Sequence, residues 1–294
     1  MSLSSIRYHS PQSLEEALKL LEELQDARVV AGGTDLLVDI KQGLLGAKNL
    51  ISLQKIEELK GIEKKNGFIR IGALATPQEI ISSSPVNKYI PALAEAARSM
   101  ASPQIRSMAT IGGNIASAVP SADLPPPLIA AEATVELRCT ESSRQIFLSE
   151  FFTGPRETVC LNNELLTSIT IPLLPSHTGI SFEKFALREA NALAVASVTS
   201  RLTLFRGKIS KAAIVLGAVA PFPLLARKAS EILSGREPSD TLFEEAASFA
   251  REEARPISDL RGSAWFRREL IQVLTRRTLK EALHRAQGKS KKGN

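Results

Sequence analysis

Two short segments carry the pattern best suited to chemistry, VVAGGTDLL at 29–37 and TIGGNIAS at 110–117. Each sets a Gly-Gly pair beside a threonine and a polar residue: Gly32, Gly33, Thr34 and Asp35 in one, Thr110, Gly112, Gly113 and Asn114 in the other. Glycine admits positive φ and lets a ligand approach the backbone closely. Successive N–H groups in such a bend form a concave donor set for an anion. A hydroxyl at Thr34 or Thr110 adds a donor. The chemistry suits a diphosphate gripped by the main chain rather than by lysine. Two such bends, separated by a whole α/β unit, can hold a dinucleotide between them. Taken singly, either is also an ordinary tight turn; the matched pair favours a ligand.

The second segment continues as SMATIGGNIASAVPSADLPPPL at 107–128, which has four prolines and a single acid, Asp123. Prolines 125–127 fix φ and remove donors, so the backbone there is stiff. Asp123 has two readings. Its carboxylate can accept from a ribose or ribityl hydroxyl, or it can cap the helix that LPPPLIAAEA suggests.

Familiar alternatives are missing. No G-x-G-x-x-G opens a helix after a strand, no G-x-x-x-x-G-K-[ST] occurs, and no G-x-S-x-G is present, which removes the Rossmann, P-loop and nucleophile-elbow motifs. Cys139 and Cys160 are isolated, and His9, His177 and His284 lie far apart, so no zinc or iron–sulfur spacing is encoded. Two lone cysteines suit a reducing cytoplasm. The N-terminus lacks the charged-then-apolar pattern of a signal peptide, and no apolar run reaches membrane-spanning length. Net charge is +6, with basic residues gathered in FRRELIQVLTRRTLKEALHRAQ and the terminal GKSKKGN. These read as a solvated helix face with a basic tail, or as a face for a partner. No aromatic interleaving points to nucleic acid.

The elements that must position these segments follow from period and caps. Ser13 and Glu16 form a capping box for a helix over 13–25. RVVAGG, NLISL and GFIRIGAL read as strands. Thr76-Pro-Gln-Glu79 opens another helix, and KYIPALAEAARSM a longer one over 88–100. TVELRC, RQIFLSEFF and ELLTSITIPL are further strands. A compositional shift at 173–179 divides the chain. Beyond it, SFEKFAL, AVASVTSRLTLF and KAAIVLGAVA form three strands with short connections, hence antiparallel. Three helices follow, the first ended by Gly235. The class is α+β: domain 1–175, with α/β subdomains at about 1–55 and 56–175, then a sheet-plus-helices domain at 176–287 and a tail at 288–294.

In this order and spacing, AGGTDLL (31–37), IRIGALAT (69–76), IRSMATIGGNIASAVPSADLPPPLIAAEATVEL (105–137), FEKFALRE (182–189), LGAVAPFPLLARKAS (216–230) and DLRGSAWFRRELIQVLTRR (259–277) resemble the FAD-binding (medium) subunit of molybdenum hydroxylases, the carbon monoxide dehydrogenase and xanthine dehydrogenase family. The resemblance spans nearly the whole chain. It implies a vanillyl-alcohol-oxidase-type FAD domain of two subdomains, then a three-stranded antiparallel sheet with a helix bundle. It implies that Val30, Ala31, Gly32, Gly33, Thr34, Asp35 and Leu36, with Thr110, Ile111, Gly112, Gly113 and Asn114, hold the FAD diphosphate. Asp123 falls on the family's ribityl-contacting acid, Lys184 on a lysine near the flavin, Leu166 near the ring, and Met100 where some relatives place an aromatic.

The implied role is electron relay. An iron–sulfur subunit delivers electrons drawn from a molybdenum-cofactor subunit, FAD collects them, and NAD, a quinone or another acceptor takes them, in a complex expected to be a dimer of heterotrimers. A free-standing FAD oxidoreductase and a FAD-less assembly module of the same fold are the alternatives. One departure is notable: Ala192 stands where several relatives carry an aromatic over a flavin face, so that face is either more open or covered by another residue. The cysteines that mark the flavin subunit of hydroxybenzoyl-CoA reductases are lacking, which removes that subgroup.

Overall fold

The structure, a computed structural model, describes residues 6–288. The expected basic tail lies outside the described residues beyond Gly288. A small parallel sheet comes first, with order β1 (Arg7–His9), β3 (Asn49–Ser52), β2 (Ala27–Val30). Ser13 accepts from the Glu16 N–H and starts α1 (Leu14–Glu23), which buries Leu14, Ala17 and Leu18. The reciprocal half of the capping box is displaced by one residue, since the Glu16 carboxylate accepts from Gln12 N at 2.7 Å. Between β2 and β3 runs α2 (Leu36–Lys41), headed by Asp35.

The second sheet is antiparallel throughout. Its order is β4 (Ile62–Lys65), β5 (Phe68–Gly72), β10 (Leu165–Pro172), β6 (Thr134–Arg138), β7 (Ser143–Phe147). A two-stranded ribbon, β8 (Phe152–Gly154) and β9 (Glu157–Thr158), precedes β10. Helices pack on this sheet. Thr76 and Glu79 close a complete capping box on α3 (Pro77–Ser82). The single helix expected over 88–100 is two, α4 (Ser84–Tyr89) and α5 (Pro91–Ser99), because Pro91 has no N–H to continue the first and occupies the first turn of the second. Then come α6 (Pro103–Arg106), α7 (Ile111–Ala116) and α8 (Pro125–Ala130).

The third sheet has three long strands, β11 (Thr178–Phe185), β12 (Ala196–Phe205) and β13 (Lys208–Gly217), all antiparallel, with a two-residue fourth, β14 (Leu224–Leu225), at its edge. Arg206 and Gly207 both take positive φ in the β12–β13 turn, which matches the twist of a two-residue hairpin. Three helices follow: α9 (Arg227–Glu231), α10 (Asp240–Glu253) and α11 (Ala264–Ala286). A carbon placed on Gly179 would lie 1.9 Å from Ala282 O, so β11 and α11 touch backbone to backbone. Gly179→Ala forces them apart. The expected loss is about 1–3 kcal/mol of stability, measured as a drop in the urea midpoint, while Gly46→Ala, with nothing within 4 Å of the added carbon, stays near wild type.

Candidate functional site

A cleft of about 820 Å³ opens between the parallel sheet and the α6–α8 segment. It gathers most of the positions singled out in the sequence. Ala31, Gly32, Gly33, Thr34, Asp35 and Leu36 line it from the β2–α2 connection, Thr110, Gly112, Gly113 and Asn114 from α7. Met100, Asp123 and Leu166 also line it. Three positions do not. The side chains of Val30 and Ile111 are buried in hydrophobic clusters, and Lys184 faces a neighbouring hollow.

The two glycine segments resemble each other in sequence but differ in structure. Only Gly33 has positive φ, +70°. Around it, the N–H groups of Gly32, Gly33, Thr34 and Asp35 have no acceptor among the described residues. Asp35 stands at the head of α2 without a side-chain cap bond. This bend therefore offers a run of unspent donors.

The second segment is no open bend. It is the first turn of α7, and its amides are spent. Ile111 N donates to Ala75 O and Gly112 N to Ala73 O, both at 2.9 Å. Gly113 N donates to Thr110 Oγ1 at 3.1 Å, and Asn114 N to Thr110 O at 2.9 Å. The main-chain diphosphate grip expected of both segments is thus available at one.

Here glycine serves close packing. A carbon on Gly112 would lie 2.7 Å from Ala73 Cβ and 2.8 Å from Ala73 O; one on Gly32 would lie 2.0 Å from Met108 O. At both positions the space that a side chain would take is filled by protein. What α7 does present is the Asn114 carboxamide, whose Oδ1 is buried without a partner, and the Thr110 hydroxyl, which as an acceptor of Gly113 N keeps its own O–H to donate.

Asp123 does not cap α8; Leu124 occupies the cap position and no side chain closes the turn. Its Oδ2 instead accepts from Lys184 Nζ at 2.7 Å, and the two side chains are 7% and 5% exposed. Lys184 Nζ also donates to Ser99 O at 3.0 Å. Burial pushes the Asp123 carboxyl up, the Lys184 ammonium pulls it back, and it settles at about 6. At neutral pH the Lys184 ammonium is therefore matched by an adjacent carboxylate. Asp123 Oδ1 is buried and lacks a partner.

The remaining walls are mainly apolar. Val29, Leu45, Leu53, Leu74, Ile105 and Leu165 contribute, as do Ala192 and Leu193 at the mouth. Asn191, at φ 50°, donates its N–H to the carbonyl of Ala101, at φ 43°, at 3.2 Å. This bond ties the 186–195 segment over Met100. Leu193, 60% exposed, stands beside Ala192. Cys160 lines the cleft too, but burial pushes its thiol to about 11, so it is no thiolate nucleophile. Arg28, Arg156 and Ser121 were invisible to motif reading. Arg156 is carried in by the β8–β9 turn and pairs with Asp39 at 2.8 Å; no local spacing marks it.

A large, mainly apolar cleft that combines a run of unspent main-chain donors with buried unpaired acceptors fits the class of a dinucleotide-binding protein, and the unpaired Asn114 and Asp123 oxygens fit a cofactor rich in hydroxyls. Comparison with known proteins specifies the group. Residues 4–174 match the FAD binding domain in molybdopterin dehydrogenase, and 181–282 the CO dehydrogenase flavoprotein C-terminal domain. The carbon monoxide dehydrogenase medium chain of Afipia carboxidovorans is 35% identical over 96% of this chain and 98% of its own. The xanthine dehydrogenase FAD-binding subunit of Escherichia coli O157:H7 is 30% identical over 96% and 97%. A solved carbon monoxide dehydrogenase from Hydrogenophaga pseudoflava superposes with a TM-score of 0.93 at 34% identity, covering 97% of this chain and 99% of that one. The chain belongs to the family of FAD-binding medium subunits of molybdenum hydroxylases, and its cofactor is FAD.

Proposed function

We propose that this chain holds one FAD in the 820 Å³ cleft and relays electrons through it, from the iron–sulfur clusters of a partner subunit to NAD, a quinone or another acceptor. The observation that carries the reading is the run of unspent N–H groups at Gly32 to Asp35, facing the same cleft as the unpaired oxygens of Asn114 and Asp123. When bound, the flavin supplies the redox chemistry. The chain binds, orients and shields it. The Gly32–Asp35 amides hold the diphosphate, assisted by the Thr110 hydroxyl. Asp123 Oδ1 accepts from a ribityl hydroxyl, with Lys184 fixing that carboxylate. Met100 and Leu166 pack against the ring system. Nothing in this role handles the organic substrate, which the reading places on the molybdenum-cofactor subunit.

In this reading, 1–175 is the FAD-binding domain, with subdomains at about 1–55 and 56–175, and 176–287 is a second domain. The complex is a dimer of heterotrimers in the cytoplasm. Among the described residues no helix is long and apolar enough to cross a membrane. Exposed apolar side chains on two linked segments support assembly. Leu187 and Leu193 lie on one segment, Leu260 and Trp265 on another, and Arg261 Nη1 joins the two by donating to Ala194 O at 3.4 Å.

Purification from the native source is the direct test. The expected result is about one flavin per chain by visible absorbance, together with a cysteine-rich iron–sulfur subunit. Protein that takes up no flavin even after incubation with FAD would end the reading.

A further inference from the structure

The buried Asp123–Lys184 pair lies between two hollows. Asp123 lines the large cleft, Lys184 lines a smaller hollow of about 580 Å³, and Ala192 lines both. Asp123 spends Oδ2 on Lys184 and leaves Oδ1 buried without a partner. The other charged groups around the pair are matched or open to solvent. In the cleft, Asp39 pairs with Arg156 and Glu164 with Arg144, while Arg28 and Asp35 are exposed. In the smaller hollow, Glu95 pairs with Arg285 and Glu183 with Arg277, while Arg188 and Glu189 are exposed. Among the described residues lining the cleft, Asp123 alone is a buried carboxylate with an unsatisfied oxygen and a single side chain linking it to a second hollow.

We propose that Asp123 takes up a proton when electrons enter the cleft, with Lys184 holding it ionised beforehand. The inference rests on the flavin reading above. Two electrons arriving from the partner's iron–sulfur clusters add negative charge to a cleft with mainly apolar walls. A carboxylate facing that charge is destabilised in its ionised form. It is relieved by binding one solvent proton at Oδ1, which turns a carboxylate into a carboxylic acid. No bond to the flavin is made or broken by Asp123. When the electrons leave to the acceptor, the proton returns to solvent. The carboxyl already titrates near 6, raised by burial and restrained by Lys184, so a modest like-charge push carries it through neutral pH. A pair of purely structural role would leave the proton count of reduction unchanged.

Redox potentiometry of the FAD-loaded full chain between pH 6 and 8 separates the two. For a two-electron couple, one additional proton steepens the dependence by about 30 mV per pH unit. The expected result is that wild type is steeper than Asp123→Asn and than the double variant D123N/K184M, by up to about that amount and most clearly above pH 7. The double variant removes both charges and serves if the lone ammonium of D123N prevents folding. Equal slopes in flavin-loaded wild type and double variant overturn the proposal alone. A wild-type chain that binds no flavin overturns the cleft assignment, and this proposal with it.

Discussion

Gly32→Ala gives protein that has lost most of its FAD affinity, Gly113→Ala loses less, and Gly46→Ala stays near wild type. The ordering follows from what each added carbon meets. At Gly32 it would lie 2.0 Å from Met108 O and 2.9 Å from Ala109 Cα, both backbone atoms with no rotamer to yield. The β2–α2 bend and the segment leading into α7 must then separate. Both line the cleft, so the donors of one wall move relative to the unpaired groups of the other. At Gly113 the added carbon meets only the Thr110 hydroxyl at 2.9 Å, and at Gly46 nothing within 4 Å. Overpacking of this kind costs about 1–3 kcal/mol. If the strain is relieved by opening the cleft, FAD affinity falls about tenfold for each 1.4 kcal/mol. Flavin titration of the three variants, with thermal unfolding alongside, checks this. Equal affinities would mean that the Gly32–Met108 contact does not set the width of the cleft.

The second large effect concerns the ion pair. Asp123→Asn and Lys184→Met each cost about 3–5 kcal/mol, because each leaves one charge buried and unmatched. The double replacement costs clearly less than the sum, since no charge remains. The two single variants differ in pH response. In Lys184→Met, the ammonium that restrained the Asp123 carboxyl is gone, so its folded pKa rises further above its unfolded value. A raised pKa favours folding below the unfolded value, about 4, and the benefit is lost as pH rises through the folded value. Lys184→Met is therefore least stable at neutral and higher pH and recovers on acidification. Asp123→Asn retains a buried ammonium and shows no such recovery. Urea unfolding at pH 5 and pH 8 decides. Parallel pH responses in the two variants would show that the buried carboxyl is not what titrates.

The wild-type protein carries the same linkage in weaker form. Its Asp123 carboxyl, at about 6, lies above the unfolded value, so this group contributes most to stability below about pH 4 and loses that contribution as pH rises through 6. The proton uptake inferred for electron entry uses the same free energy, moved by ligand charge instead of by unfolding.

Much of the architecture was legible because its instructions are local. Thr76 and Glu79 encode their capping box within four residues, and the structure makes both bonds. The alternating pattern of β5 and the long apolar strands β12 and β13 are likewise written in their own residues. The break between α4 and α5 was equally local, set by Pro91, although helical periodicity on both sides masks it. The fourth strand of the third sheet has only two residues, too short for a period to show.

The sequence by itself determined where side-chain-poor backbone would stand, which helices and strands would flank it, and to which family the chain belongs, since caps, periods and motif order are properties of neighbouring residues. Only the tertiary structure decided what each glycine is for, and which partner Asp123 takes. Two Gly-Gly segments of similar residue types diverge because α7 packs onto Ala73 and Ala75 and is capped by Thr110, which together take up its first amides, while no acceptor reaches the amides of Gly32 to Asp35. Asp123 and Lys184 are 61 residues apart. Their contact exists because β11 lies against α5 and α8, and packing at that range is fixed by the summed shape of the core and not by any short code.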